Sequence, residues 1–183
     1  MKFIETDFKD LFIVELKPLE DERGWFSRVY DVNLFRENIP NFTSDWKQFN
    51  HSFNLKKGTF RGLHFQYPPF QETKLVRCIS GKVIDFALDL RNESETFLKV
   101  FQIELSEENK KMVYLPKGFA HGFFTLEDNS QLLYFSDEFY KPDYDSGVYF
   151  QDQAIKDLID IKPLVISNKD LNHKILKKDF SGI

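Results

Sequence analysis

The sequence predicts an all-β chain, a double-sheet jelly-roll sandwich or barrel with a few short helices at its periphery. Short runs of strand-forming residues recur at roughly eight-to-twelve-residue spacing, separated by turn signals, which is the rhythm of sandwiches and barrels. The runs alternate with period two, and helical periodicity is almost absent before residue 153. Aromatic residues make up 16% of the chain, including 21 phenylalanines, and wide flat rings pack well on a pleated surface. At 183 residues the chain is long enough for one well-buried core and short for two, so residues 1–183 read as a single domain.

Residues 11–16 form the first strand, stopped by Pro18. Asp21-Glu22-Arg23-Gly24 is a turn, after which residues 25–30 resume a strand. Asp31 caps a short helix over 32–38. Residues 46–53 are strand-like and run through the polar turn 54–58 into the apolar stretch that begins at Thr59. Residues 75–79, the turn Ser80-Gly81 and residues 82–90 read as a hairpin. In its second arm Ile84, Phe86, Leu88 and Leu90 share one face and Asp85 and Asp89 the other. Residues 99–105 alternate as well, 112–115 form a short strand, and 119–126 with 131–136 read as a further pair around the turn 127–130. From about residue 153 the pattern changes. Residues 153–160 have room for one or two helical turns, 171–178 are polar with scattered apolar positions, and this segment is expected to wrap the barrel.

The net charge is −4 and no block of Lys and Arg is long enough to track phosphates, which argues against nucleic acid as a partner. Isolated positive charges in a mildly acidic protein suit a small anionic ligand better. The N-terminus is charged too early for a signal peptide, and no window approaches a membrane-spanning apolar run, so a soluble, cytoplasmic protein is expected. Cys78 is the single cysteine. It forms no intrachain disulfide and reads as a small buried hydrophobe.

Chemistry concentrates in Thr59-Phe60-Arg61-Gly62-Leu63-His64-Phe65-Gln66 and the following Lys74-Leu75-Val76-Arg77. Desolvation disfavours charged His and Lys, so ionisable groups in an apolar strand pair with one another or act on something. A metal-binding jelly roll would present two close histidines on a strand, whereas His64 and His121 each stand alone, so no metal is expected and acid–base work suits an isolated imidazole better. His121, between Phe119 and Phe123, fits a satisfied core residue as well as a catalytic one. Strict alternation puts Arg61 and His64 on opposite faces, and a bulge at Gly62 would bring both to one pocket.

Arg61-Gly62-Leu63-His64-Phe65-Gln66, Lys74-Leu75-Val76-Arg77, Gly81 through Asp89-Leu90-Arg91, Leu105-Ser106 with Asn109, and Pro116 through Gly122-Phe123 resemble, in order and spacing, the dTDP-4-dehydrorhamnose 3,5-epimerase family. The likeness extends from Asp21 to Asp170. It implies a cupin-like jelly roll, a homodimer, no metal or cofactor, and inversion at C3, C5 or both of a nucleotide-diphospho-4-keto-6-deoxy sugar. The ketone acidifies the neighbouring C–H bonds, and a base, a stabiliser of the enolate oxygen and an acid on the opposite ring face complete the reaction. By resemblance His64 is the base, Asp170 its orienting carboxylate, Lys74 the group at the enolate oxygen and Tyr134 the opposite-face acid, since a phenol carries its proton at neutral pH. Arg23, Arg61, His121 and Lys169 match positions that contact sugar or diphosphate, Tyr140 a tyrosine that stacks on the base, and Gln48 and Asn50 polar residues of the sugar pocket. Asp145 falls where the family usually has glutamate. Asp85 is read as a partner for Lys74 or as a solvated carboxylate. Two departures bear on substrate: Arg28 replaces a glutamate, and Phe49 an aspartate, so the sugar or nucleotide accepted is expected to differ. A 3,4-ketoisomerase, which needs no opposite-face acid, and a non-catalytic sugar-nucleotide-binding cupin are the competing readings.

Overall fold

The computed structural model of the chain describes residues 1–42, 45–173, 175–176 and 180–183. In chain order these form β1 (Lys2–Glu5), β2 (Phe12–Glu15), β3 (Leu19–Asp21), β4 (Gly24–Phe26), α1 (Val32–Asn38), β5 (Gln48–Asn54), β6 (Thr59–Gln66), β7 (Lys74–Ser80), β8 (Lys82–Asp89), β9 (Val100–Ser106), β10 (Lys111–Leu115), β11 (Phe119–Thr125), β12 (Ser130–Ser136), β13 (Asp145–Gly147), β14 (Val165–Ile166) and α2 (Asn168–Leu171). One sheet has the order β1-β2-β10-β7-β12-β5. The second has the order β13-β6-β11-β8-β9, with β14 added in parallel to β6. β3 and β4 pair off as a separate two-stranded arm. The fold is the predicted jelly roll, and among the described residues no helix is long and apolar enough to cross a membrane.

Three layers of apolar side chains hold the sheets. Between them Val76, Cys78, Val113, Leu115 and Leu132 of the first sheet meet Val83, Ala87, Leu105, Phe119 and Phe123 of the second. The outer face of the second sheet, with Phe60, Leu63, Phe65, Phe86 and Leu88, is covered by Val148, Phe150, Ile155, Ile159, Ile166 and Phe180 of the C-terminal segment. The outer face of the first sheet, with Val14, Leu75, Met112 and Tyr114, packs under Phe35 and Ile39. A helix as short as α1 does not persist alone in water. Asp31 caps it as predicted, accepting hydrogen bonds from the Asn33 and Leu34 N–H groups, and fully buried Phe35 contributes about 2–3 kcal/mol.

Both predicted hairpins are corners between sheets. β7 pairs with β10 and β12, whereas β8 pairs with β9 and β11, so the chain changes sheets at Gly81. Gly81 has φ +70°, and a Cβ there would lie 2.6 Å from Ser130 Oγ. The 127–130 turn is the matching corner, carrying the chain from β11 to β12, which do not pair. A tight turn between two apolar runs looks the same in sequence whether its arms bond to each other or to other strands. Elsewhere β1, β3, β13 and β14 were not predicted, and the strand expected over 25–30 ends at Phe26. Residues 153–158 form successive turns rather than a helix, with Ile155 and Ile159 buried against the second sheet. Of the 171–178 stretch, residues 174, 177 and 178 lie outside the described residues.

Candidate active site

The site begins with the irregularity at Gly62. In the pairing of β11 with β6, His121 lies opposite His64 and Phe123 opposite Arg61, so Gly122 alone faces the two residues Gly62 and Leu63. This is the anticipated bulge, and it turns Arg61 and His64 to the same inner face. Glycine is required twice. Gly62 has φ +129° and a Cβ on it would sit 2.5 Å from Gly122 Cα, while a Cβ on Gly122 would sit 2.6 Å from the Arg61 carbonyl oxygen.

Two imidazole–carboxylate pairs stand side by side on that face. His64 Nε2 is 2.7 Å from Asp170 Oδ1, and the Gly62 N–H donates to Asp170 Oδ2 at 3.3 Å. Burial alone would raise the Asp170 pKa, but the adjacent His173 imidazole and the hydrogen bonds from His64 and Gly62 outweigh it and hold the carboxyl well below its usual range. An ionised carboxylate only accepts, so His64 Nε2 carries the proton and Nδ1 is left with its lone pair. Burial pushes the His64 pKa down, and despite Asp170 the net direction is down, with Lys74 and His173 adding to it. The imidazole is therefore a neutral base at neutral pH. Beside it His121 Nε2 is 2.8 Å from Asp85 Oδ2. Asp85 is fully buried, so it is neither a solvated charge nor the partner of Lys74. Alternation places it correctly opposite the Ile84 and Phe86 face, but in a sandwich both faces of β8 are covered.

Lys74, Tyr134, Gln48 and Asn50 come from the facing sheet. Lys74 aligns with Ser136 and through it Gln48, and Val76 with Tyr134 and Asn50, so these residues share the inner face on which Val76 and Leu132 are packed. Lys74 Nζ is 2.8 Å from Glu72 Oε1, and Glu72 Oε2 accepts from Ser136 Oγ at 2.7 Å. Burial works against the Glu72 charge, yet Lys74 overrides it and lowers the pKa. Gln48 Oε1 is committed to the backbone N–H of Tyr140 at 2.8 Å, so Gln48 positions Tyr140.

At the mouth, Arg61 Nε donates to Asn54 Oδ1 at 2.7 Å, which aims the guanidinium. Lys169 pairs with Asp145 Oδ2, which also accepts from the Tyr140 hydroxyl at 3.2 Å. Burial opposes the charge on Lys169, but Asp145 holds its pKa up. A cavity of about 320 Å³ opens here, lined by Arg61, His64, Ser167, Lys169 and Asp170 among others. A larger hollow of about 460 Å³ beside Asp10 and Glu95 contains none of these groups, and chemistry rather than size decides between the two.

Arg23 and Arg28 do not join this cluster within one chain. Arg23 is bound to Asp21 at the tip of the β3–β4 arm and Arg28 to Asp31 at the cap of α1. Phe49, between inward Gln48 and Asn50, points to the outer face and stacks on Phe135 with ring centres 4.3 Å apart. Sequence reasoning missed the pairing role of Asp85, Glu72, Asn54 and, above all, His173. His173 Nε2 lies 3.2 Å from Asp170 Oδ1, so His64 is not isolated in space as it is in sequence. His64, Asp170 and His173 are the one group of three candidate metal-donor residues among the described residues, with donor atoms within 4.8 Å of one another. Their 2.7 and 3.2 Å contacts are hydrogen-bond distances, shorter than the donor separations around a tetrahedral zinc, and suit a shared proton network better than an ion. Cys78 is fully buried, and burial pushes its thiol up to about 11, as befits a core residue.

Residues 5–178 match the sequence profile of the dTDP-4-dehydrorhamnose 3,5-epimerase family. A curated relative of that name from Shigella flexneri is 37% identical over 98% of this chain and 99% of its own length. The crystal structure of dTDP-4-dehydrorhamnose 3,5-epimerase from Elizabethkingia anophelis is 39% identical, superposes with a TM-score of 0.90 and covers 98% of both chains. A dTDP-6-deoxy-D-glucose-3,5-epimerase from Legionella pneumophila, solved in complex with dTDP-4-keto-L-rhamnose, is 33% identical with a TM-score of 0.88 over 95% of this chain and 92% of its own. With the jelly roll and the imidazole pairs already in view, these likenesses make the chain a member of the dTDP-4-dehydrorhamnose 3,5-epimerase family and an isomerase of the epimerase class.

Proposed function

We propose that this enzyme inverts C3 and C5 of a nucleotide-diphospho-4-keto-6-deoxy sugar, the dTDP-4-dehydro-6-deoxyglucose to dTDP-4-dehydrorhamnose conversion, by stepwise proton transfer. The observation that carries the reading is a neutral, half-buried imidazole whose Nε2–H is held on Asp170, on the inner face opposite the sheet that carries Lys74 and Tyr134. His64 Nδ1 takes the proton next to the ketone, and the electron pair moves onto the C4 oxygen. Lys74, steadied by Glu72, meets that oxygen. Tyr134 returns a proton to the opposite face, and release of the proton from His64 together with reprotonation of the phenolate readies the second centre. Arg61, His121, Lys169, Tyr140 and Asn50 bind the sugar and diphosphate, with Asp145 and Gln48 positioning Lys169 and Tyr140. The steps as written need neither metal nor cofactor.

Incubation in D₂O with dTDP-4-keto-6-deoxyglucose, followed by NMR at C3 and C5, tests the reading. Deuterium at both carbons, abolished in His64→Ala, supports it. Deuterium at one carbon reassigns the enzyme to a single centre, and none at either refutes the substrate.

The working form is a homodimer of single-domain chains in the cytoplasm. Phe49 and Phe53 on the outer face of the first sheet, and Leu19, Trp25 and Phe26 on the arm, are exposed in one chain, while Arg77 Nε is buried without a partner. Arg23 and Arg28 reach substrate when a second copy of the chain brings them to it. A monomeric mass by light scattering overturns the dimer.

A further inference from the structure

His173 is not needed to explain the reaction above, yet its surroundings are built for it. Its side chain is 6% exposed. Its Nε2 approaches Asp170 Oδ1, the oxygen already engaged by His64, at 3.2 Å against 2.7 Å for His64. The approach is off the line of a full hydrogen bond, and this buried nitrogen has no other partner. The two imidazoles meet edge to face, with ring centres 5.2 Å apart. Room for the second ring comes from Gly147, which pairs with His64 across β13 and β6: a Cβ there would lie 2.4 Å from His173 Cε1. Gly147 does not adopt a positive φ, so space rather than conformation asks for glycine.

Resting on the reading of His64 as the base, we infer that His173 is a positioning residue that shares the Asp170 carboxylate with His64 and thereby limits how tightly that carboxylate grips the base. A base bound too firmly to its carboxylate keeps the proton it has taken and cannot serve a second centre. Two donors competing for one oxygen weaken that grip, and a second imidazole nearby also disfavours positive charge on the first. The direction in which burial, Lys74 and His173 move His64 agrees.

His64 is faced by Arg61 on its own strand, by His121 with Asp85 across β11 and β8, by Lys74 with Glu72 from the other sheet, by Lys169 and Asp170 from α2, and by Asp145 on β13. All of these remain when His173 is replaced, so a change in His64 reports His173.

The test is the pH titration of the imidazoles by long-range ¹H–¹⁵N NMR on the whole protein without substrate, so that it stands apart from failure of the substrate assignment. In His173→Ala the midpoint of His64 is expected to rise by about half a pH unit or more. Gly147→Ala, which pushes the His173 ring away, is expected to give a similar rise, and the double variant no further one. His173→Gln, which keeps an N–H donor, returns the midpoint most of the way. With substrate, the acidic limb of the exchange profile shifts upward by the same amount in His173→Ala. An unchanged His64 midpoint in His173→Ala and His173→Gln, with only the melting temperature lowered, overturns the proposal, as do additive shifts in the double variant.

Discussion

Asp170→Asn removes one negative charge from a position 2.7 Å from His64 Nε2 and keeps the shape of the side chain. The charge matters at the moment His64 becomes an imidazolium. At about 4 Å between charge centres and an effective dielectric constant of ~20, an ion pair is worth about 4 kcal/mol. The asparagine carbonyl still accepts from Nε2–H and recovers about 1 kcal/mol. The remaining ~3 kcal/mol corresponds to a loss of about a hundredfold in the rate of proton abstraction. Asp170 is 3% exposed, so water does not screen the effect away. The Gly62 N–H donates to the other carboxylate oxygen and faces the amide NH₂ in the variant, so the variant's fold is checked alongside its rate. The loss should appear in kcat and leave KM nearly unchanged, because the charge acts on the transition state rather than on bound substrate. Initial rates of deuterium uptake at C3 and C5, measured on protein with an unchanged circular dichroism spectrum, give the number. A loss smaller than fivefold would remove Asp170 as the partner of the base.

Tyr134→Phe should slow inversion more than deuterium washout from the substrate, since it removes the returning acid and leaves the base; equal losses in the two assays would exclude a specific donor role. Gly62→Ala places a Cβ 2.5 Å from Gly122 Cα at φ +129°, which should cost about 3 kcal/mol and lower the melting temperature by about 6–12 °C. A drop under 2 °C would show that the bulge tolerates a side chain. The folded-state pKa of His64 is lowered while the unfolded imidazole titrates near ~6.5, so the folded protein binds fewer protons below that pH. Its contribution to stability is therefore present above pH ~6.5 and is lost as pH falls through the folded value. Urea midpoints should fall from pH 7 to pH 5 more steeply for the native protein than for His64→Gln, and parallel falls would contradict the sign.

The longer strands of the two sheets were legible because each exposes its period over five or more residues, as β8 does with Ile84, Phe86 and Leu88, whereas β1, β13 and β14 are too short to show one. Their partners were not. The corners at Gly81 and at 127–130 carry ordinary turn chemistry, and nothing local distinguishes a hairpin from a change of sheet. The site divides the same way. His64, Asp170, His121, Lys74, Arg61 and Lys169 stand out in the sequence because they lie in motifs, and the bulge that brings Arg61 and His64 to one face followed from counting. Asp85 was misjudged because period two says which face a residue takes and not whether water reaches it. Glu72, Asn54 and His173 were overlooked because a partner defined by distance has no mark in the sequence. Arg28 and Phe49, legible as departures from the family pattern, lie away from the interior of a single chain.

His64 and Asp170, which share a hydrogen bond, are separated by 106 positions, with His64 on β6 next to the edge of its sheet and Asp170 on α2 near the end of the described chain. Every strand of both sheets except β14 precedes Pro163, so a nascent polypeptide can assemble its barrel and bind apolar surface long before its chemistry exists. On the proposed mechanism competence would come last, once the tail is long enough for Ser167 to cap α2 and hold Asp170 against Gly62 and His64. Premature termination just ahead of residue 167 would take Ser167, Lys169 and Asp170 out of the cavity wall together, so the same loss would open the hollow and leave the imidazole unaimed.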